Sequence, residues 1–310
     1  MLNIPFNSLL LMLSVAALLL FASAVCWFKG CHKKTSPSHE LWLRTRSWWL
    51  MCAVVFAALS INQTSALLLF GFLSFMALKE FISIVPVRLT DRRALFWAYI
   101  AIPFQYLWVA QGWYGMFIIF IPVYLFLFLA ARLVLLGETK GFIRSAGVIH
   151  WALMLTVFSI SHIAYLLVLP VKNSDAGAIG LVLYLIVLTQ FNDVAQFCWG
   201  KTVGKRPIAP KVSPNKTQAG FWGGLVTTTI IGALLAPQLT PLTIPQGLLA
   251  AAMIAITGFF GDLVLSAVKR DLQIKDCSQL IPGHGGLLDR LDSLMFSAPV
   301  FFHLTYYLHY

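Results

Sequence analysis

Apolar runs of nearly membrane-spanning length recur along the whole chain, each broken by a short polar or basic segment. They lie near residues 8–28, 47–60, 65–85, 94–110, 113–136, 145–169, 177–198, 220–237, 246–265 and 293–309. A helix needs about 20 mostly apolar residues to cross the hydrocarbon core of a bilayer. The pattern therefore predicts an all-α integral membrane protein, a polytopic bundle of about nine to ten transmembrane helices. The run at 47–60 is short, which leaves the count between nine and ten.

Polar positions inside the later runs are not scattered. Thr189, Asn192, Asp193 and Gln196 follow i, i+3, i+4, i+7 spacing, so they share one face of the seventh helix. A carboxylate at membrane depth is costly and faces a bundle interior or a wet cavity, which makes Asp193 a functional candidate. The competing reading is a helix–helix hydrogen bond through Asn192 and Gln196, with Asp193 beside it. Asp262, Ser266, Lys269 and Arg270 form a second stripe at i, i+4, i+7, i+8. If the ninth helix runs past the bilayer surface, that face presents a carboxylate, a hydroxyl and two cations. Alternatively, Lys269 and Arg270 only mark the inner boundary. Gly258 and Gly261 permit a neighbouring helix to approach. His150 and His162 have no acidic partner in the pattern and read as packing or pore-lining residues.

Composition agrees with the pattern, at 59% hydrophobic and 11% charged residues with a mean hydropathy of +0.83. The net charge of +11 could suggest nucleic acid, but the bases alternate between loops instead of gathering on one face. With the N-terminus outside, the inner loops hold Lys29, Lys33, Lys34, Arg44 and Arg46, then Arg88, Arg92 and Arg93, then Lys140 and Arg144. The later inner loops hold Lys201, Lys205, Arg206, Lys211 and Lys216, then Lys269, Arg270, Lys275 and Arg290. Lys79 and Arg132 fall near inner helix ends, so Lys172 alone lies outside, as the positive-inside rule demands. The first run lacks a basic leader and is followed by five bases, so it reads as a retained anchor. Cys26, Cys31, Cys52, Cys198 and Cys277 lack CxxC spacing and fall in spans or on the inner side, where thiols stay reduced.

Residues 266–292 concentrate chemistry in an otherwise apolar chain. They carry Lys269, Arg270, Lys275 and Arg290, Asp271, Asp276, Asp289 and Asp292, His284 and a Pro-Gly-His-Gly-Gly turn. Carboxylate oxygens suit Mg²⁺, while Lys, Arg and glycine-exposed N–H groups suit phosphate. Asp289 and Asp292, at i, i+3, share a helix face and can return to the same site. His284 is open between a phosphate donor and a loop hydrogen-bonder. Upstream, residues 195–202 fit a permissive P-loop pattern, but they leave a membrane helix through Phe197, Cys198 and Trp199, the wrong context for one. The basic segment that follows, with its prolines, suits a triphosphate.

The order Ser-x-x-Lys-Arg, Lys-Asp, Pro-Gly-His-Gly-Gly, Leu-Asp-Arg-x-Asp across 266–292 resembles the C-terminal signature of phosphatidate cytidylyltransferases. Residues 209–217 and Gly261-Asp262 are similar to two further blocks of that family, and the likeness is firm from about 193 to 293. It implies a single polytopic unit over 1–310, with N-terminal helices over 1–188 and a catalytic part over 189–310. It also implies transfer of the cytidylyl group of CTP to phosphatidate at the cytoplasmic face of a bacterial inner membrane, with Mg²⁺ and a monovalent cation such as K⁺. In this reading Asp262 and Asp289 hold metal, and Ser266, Lys269, Arg270 and Asp193 complete the catalytic set. Lys205, Ser213, Lys216, Thr217, Lys275, Asp276, His284, Arg290 and Asp292 meet the substrates. Partners are the two substrates and the bilayer, without nucleic acid; a homodimer is left open. Departures from the family pattern at Gln196, Phe197, Gln218, Ala219, Cys277 and Ser278 leave a housekeeping enzyme and a specialised paralogue both open. The other classes to weigh are a CTP-dependent polyprenol kinase and a non-enzymatic transporter.

Overall fold

A computed structural model describes residues 4–32, 38–88, 91–283 and 285–310. Helices dominate it. The first four are α1 (Phe6–Phe28), α2 (His39–Ile61), α3 (Gln63–Ile84) and α4 (Arg92–Ala110). Then α5 (Tyr114–Ile119) and α6 (Phe126–Val134) join through a π-helical turn over Phe120–Leu125. That turn contains Pro122, which has no N–H for the helical ladder. A second π turn, Met154–Phe158, joins α7 (Phe142–Leu153) to α8 (Ser159–Leu166). The remaining helices are α9 (Gly177–Val203), α10 (Gln218–Leu239), α11 (Ile244–Asp271) and α12 (Leu288–His309).

Among the described residues, seven helical stretches are long and apolar enough to cross a membrane: α1, α3, Tyr114–Val134, Phe142–Leu166, α9, α10 and α11. The protein is thus built as an integral membrane protein, nearly all-α, with fewer qualifying helices than the nine to ten expected. The shortfall falls on α2, α4 and α12, whose N-terminal ends carry Glu40 and Arg44, Arg92 and Arg93, and Asp289, Arg290 and Asp292. Charged ends leave these helices less apolar, and in α12 two tyrosines and two histidines add to this. One described connection forms strands. Between α9 and α10 the basic loop folds as an antiparallel hairpin of β1 (Pro207–Ala209) and β2 (Ser213–Thr217), pairing Pro207 with Thr217 and Ala209 with Ser213.

Helices α9, α10, α11 and α12 pack in sequence, and α12 leans on α8. Asn192 joins three of them, donating to the Ala255 carbonyl (3.1 Å) and accepting from Thr228 (3.2 Å). Thr189 meets Ser297 at 3.2 Å. The competing reading of the first stripe therefore describes Asn192, and Asp193 turns elsewhere. Buried rings of Phe117, His162, Tyr165 and Phe302 fill the centre between α5, α8 and α12. His162 bonds the Phe158 carbonyl at 2.7 Å, and His150 lies edge-on to Phe126, so both pack as expected. The 195–202 segment is continuous helix within α9, which leaves no phosphate-cradling loop there.

Candidate active site

Helix contact sets the site. A Cβ on Gly261 would fall 2.4 Å from the Asp292 carbonyl oxygen, so only glycine lets α11 and α12 meet here. This places Asp262 beside Asp292, and α9 adds Asp193, whose Oδ1 accepts a hydrogen bond from Ser293 Oγ at 3.2 Å. The three carboxylates act electrostatically on one another, with Lys216 and Arg290 as nearby cations. Lys216 extends from β2 to Asp262 Oδ2 (2.7 Å), also donates to the Phe259 carbonyl, and lies over the Phe259 ring. Ser266 donates to Asp262 Oδ1 at 3.2 Å. The Nε of Arg290 is buried and has no hydrogen-bond partner among the described residues.

Asp289 sits in a separate nest of donors. Its Oδ1 accepts from Lys269 at 2.7 Å, and its Oδ2 accepts from the backbone N–H groups of Cys277 (2.9 Å) and Gly286 (3.0 Å). Its described partners are thus not those of Asp262, with which it was expected to share an ion. Asp292 is the link, since it acts electrostatically on both Lys269 and Asp262.

The other expected residues divide. Arg270 donates through Nε to the Val212 carbonyl (3.2 Å), tying α11 to the hairpin turn. Thr217 accepts from Gly220 N–H (3.1 Å), so its hydroxyl caps α10. Ser213 pairs with Ala209 across the hairpin. Lys205, Lys275 and Asp276 are exposed, and Asp276 borders Gly285. His284 lies outside the described residues, as do Lys33 and Lys34. The sequence departure at Cys277 reaches Asp289 through its backbone. Burial pushes its thiol well above the usual range, and the charge of Asp289 adds to this.

Glu80 was missed. It reaches from α3 to accept from Leu287 N (2.9 Å) and Leu288 N (3.3 Å), and its carboxylate, the Cys277 thiol and Asp289 come within 4.8 Å of one another. The available signal was a lone carboxylate within an apolar run, the rule that flagged Asp193.

A charged centre built from α9, α11, α12 and a basic hairpin can be set against known proteins. Residues 42–308 match the cytidylyltransferase family. The chain belongs to that family. It is 43% identical over 294 residues to the uncharacterized protein YnbB of Escherichia coli (strain K12), covering 95% of this chain and 97% of YnbB. It is 37% identical over 138 residues to a phosphatidate cytidylyltransferase of Bacillus subtilis (strain 168), covering 44% of this chain and 51% of that enzyme. A phosphatidate cytidylyltransferase of Staphylococcus haemolyticus (strain JCSC1435) aligns over 255 residues at 28% identity, 81% of this chain and 94% of the relative. The family assignment agrees with the resemblance carried by residues 266–292. Membership in a cytidylyltransferase family also gives the charged centre an enzyme's context.

Proposed function

We propose that this cytidylyltransferase-family protein joins CTP and phosphatidate to give CDP-diacylglycerol and pyrophosphate. The observation that supports it most is the meeting of Asp193, Asp262 and Asp292 with Lys216 and Arg290, where four separate elements converge. An oxygen of the lipid phosphomonoester attacks the α-phosphorus of CTP. The bond from that phosphorus to the oxygen bridging to the β-phosphorus breaks, and its electron pair leaves with pyrophosphate. The nucleophile is already anionic near neutral pH, so the protein's task is alignment and neutralisation of charge.

Three mutually repelling carboxylates with a hydroxyl at their edge are a hard-oxygen donor set that fits a divalent cation. Asp262, Asp193 and Asp292 would hold Mg²⁺, which supplies charge neutralisation on phosphate oxygens when bound. A monovalent ion such as K⁺ belongs to the same proposal, and Asp289 would join a metal only by giving up its Lys269 contact. Lys216 and the unpartnered Arg290 Nε are the nearest donors for phosphate oxygens. Lys205 and Lys275 wait at the exposed rim, and Ser266 and His284 complete the set. The residues from 189 onward would form the catalytic part, at the cytoplasmic face of a bacterial inner membrane and crossed by up to ten helices.

The deciding experiment supplies purified protein with phosphatidate and CTP labelled either at the α- or the γ-phosphate. Label entering lipid from the α-position alone is expected. Label from the γ-position would make the protein a lipid kinase, and none from either would overturn the enzymatic reading. Cysteines introduced at Asn215 and Gln279, in a background free of native cysteines, should resist an impermeant thiol reagent until cells are opened. Labelling in intact cells would overturn the cytoplasmic placement.

A further inference from the structure

The apolar helix α3 buries one carboxylate, Glu80, which is 7% exposed. Burying a charge is costly unless it is hydrogen-bonded, so its partners define its use. Through Oε2 it takes the N–H groups of Leu287 and Leu288, at the very start of α12, where backbone donors lack helical partners. A carboxylate is also favoured there by the helix dipole. Oε1 makes no hydrogen bond of normal geometry, with Ser278 beside it. On Gly286, a Cβ would fall 1.7 Å from Oε1. Gly286 is thus held between Glu80 on one side and Asp289, which accepts its N–H, on the other. Helix α2 grips the same turn farther back, through Ser47 to the Pro282 carbonyl (2.8 Å) and Arg44 to the Gly283 carbonyl (3.1 Å).

We propose that Glu80 is a positioning residue, which locks Gly286 and the first turn of α12 so that Asp289, Arg290 and Asp292 enter the site in one register. The role rests on the reading of those three residues as part of the cytidylyl-transfer site. A metal-ligating role for Glu80 with Cys277 and Asp289 fits less well. Both oxygens of Asp289 are taken by protein donors, and Lys269 already supplies a cation.

The test compares wild type with Glu80→Gln, Glu80→Ala, Gly286→Ala and the Glu80→Ala/Gly286→Ala double variant. Readouts are hydrogen exchange over residues 281–292, and kcat and KM at several Mg²⁺ concentrations. In Glu80→Ala, exchange at Leu287 and Leu288 should rise roughly tenfold, as for a lost helix cap, while α10 is unchanged. The kcat should fall by about tenfold with KM for both substrates held, because the register of charged groups and not substrate contact is disturbed. Glu80→Gln keeps an acceptor and should lie between the two, and it serves if the alanine variant fails to fold. Gly286→Ala should be as damaging with Glu80 present and add little once Glu80 is removed. Unchanged exchange at 287–288, strictly additive losses, or activity restored by excess Mg²⁺ would each overturn the proposal. If wild type transfers no cytidylyl group, the function reading fails by itself, and the exchange and additivity measurements still decide whether Glu80 locks the turn.

Discussion

Two lysine–aspartate pairs of the same 2.7 Å length stand in the site and differ in everything around them. Asp262, paired with Lys216, keeps 31% of its side chain exposed and has a serine hydroxyl as its second partner. Asp289, paired with Lys269, keeps 4% and has two backbone N–H groups locked on its other oxygen. The first can exchange partners for a metal or phosphate at small cost. The second is built into the turn that starts α12, so its charge is spent on structure before any ligand arrives. The family resemblance gave both aspartates the same role.

The strongest way to break this contrast is to neutralise each carboxylate in turn. Asp289→Asn leaves Lys269 without its buried partner and turns an amide toward backbone donors. It should cost about 3 kcal/mol of stability as well as transfer activity. Thermal unfolding in detergent, followed beside the lipid assay, checks this. Asp262→Asn should cut transfer on the order of 100-fold with the unfolding temperature held, because its surroundings are open. Equal thermal losses in the two variants would erase the distinction.

Arg270 sharpens the comparison from the hairpin side. Arg270→Lys keeps the charge but loses the Nε donor to Val212, which should cost about 1 kcal/mol of tethering and make the hairpin more sensitive to limited proteolysis. Transfer should drop several-fold through KM for CTP. A third pair, Arg88 with Asp91, lies outside the site and isolates a purely structural contact. Burial alone would raise the Asp91 carboxyl, but hydrogen bonds from Arg88 and Ser145 outweigh it and hold the carboxyl below its ordinary value. The pair should therefore stabilise fully above the usual carboxylate value of about 4 and lose its effect as pH falls through the lowered folded value. Arg88→Ala should lower the unfolding temperature at neutral pH and leave transfer per folded molecule unchanged. A unfolding profile against pH, for wild type and variant, should converge at the acid end.

Much of the fold was legible because hydropathy and charge are local properties. Ten apolar runs anticipated where the long helices stand, and Gly261 was marked as a contact point before its neighbour was known. The hairpin was hidden because its short strands are polar and proline-rich, and their pairing does not follow an alternating pattern. Among the described residues seven helices qualify as spans, because charged ends dilute α2, α4 and α12.

By itself the sequence determined that the chain is a membrane protein and which family it resembles, and it set the expectations that the bases fall in the inner loops and that the chemistry lies in 193–293. Each follows from residues close together along the chain. Tertiary structure alone decided which carboxylates meet, that Asn192 bonds across the helices while Asp193 meets Ser293, that Arg270 bonds the hairpin, and that Glu80 accepts from a turn 207 residues away. Those outcomes depend on how each helix is rotated against its neighbours. Rotation is set by many small contacts, such as the absent Cβ of Gly261 and of Gly286, and spacing along one helix does not report what stands opposite.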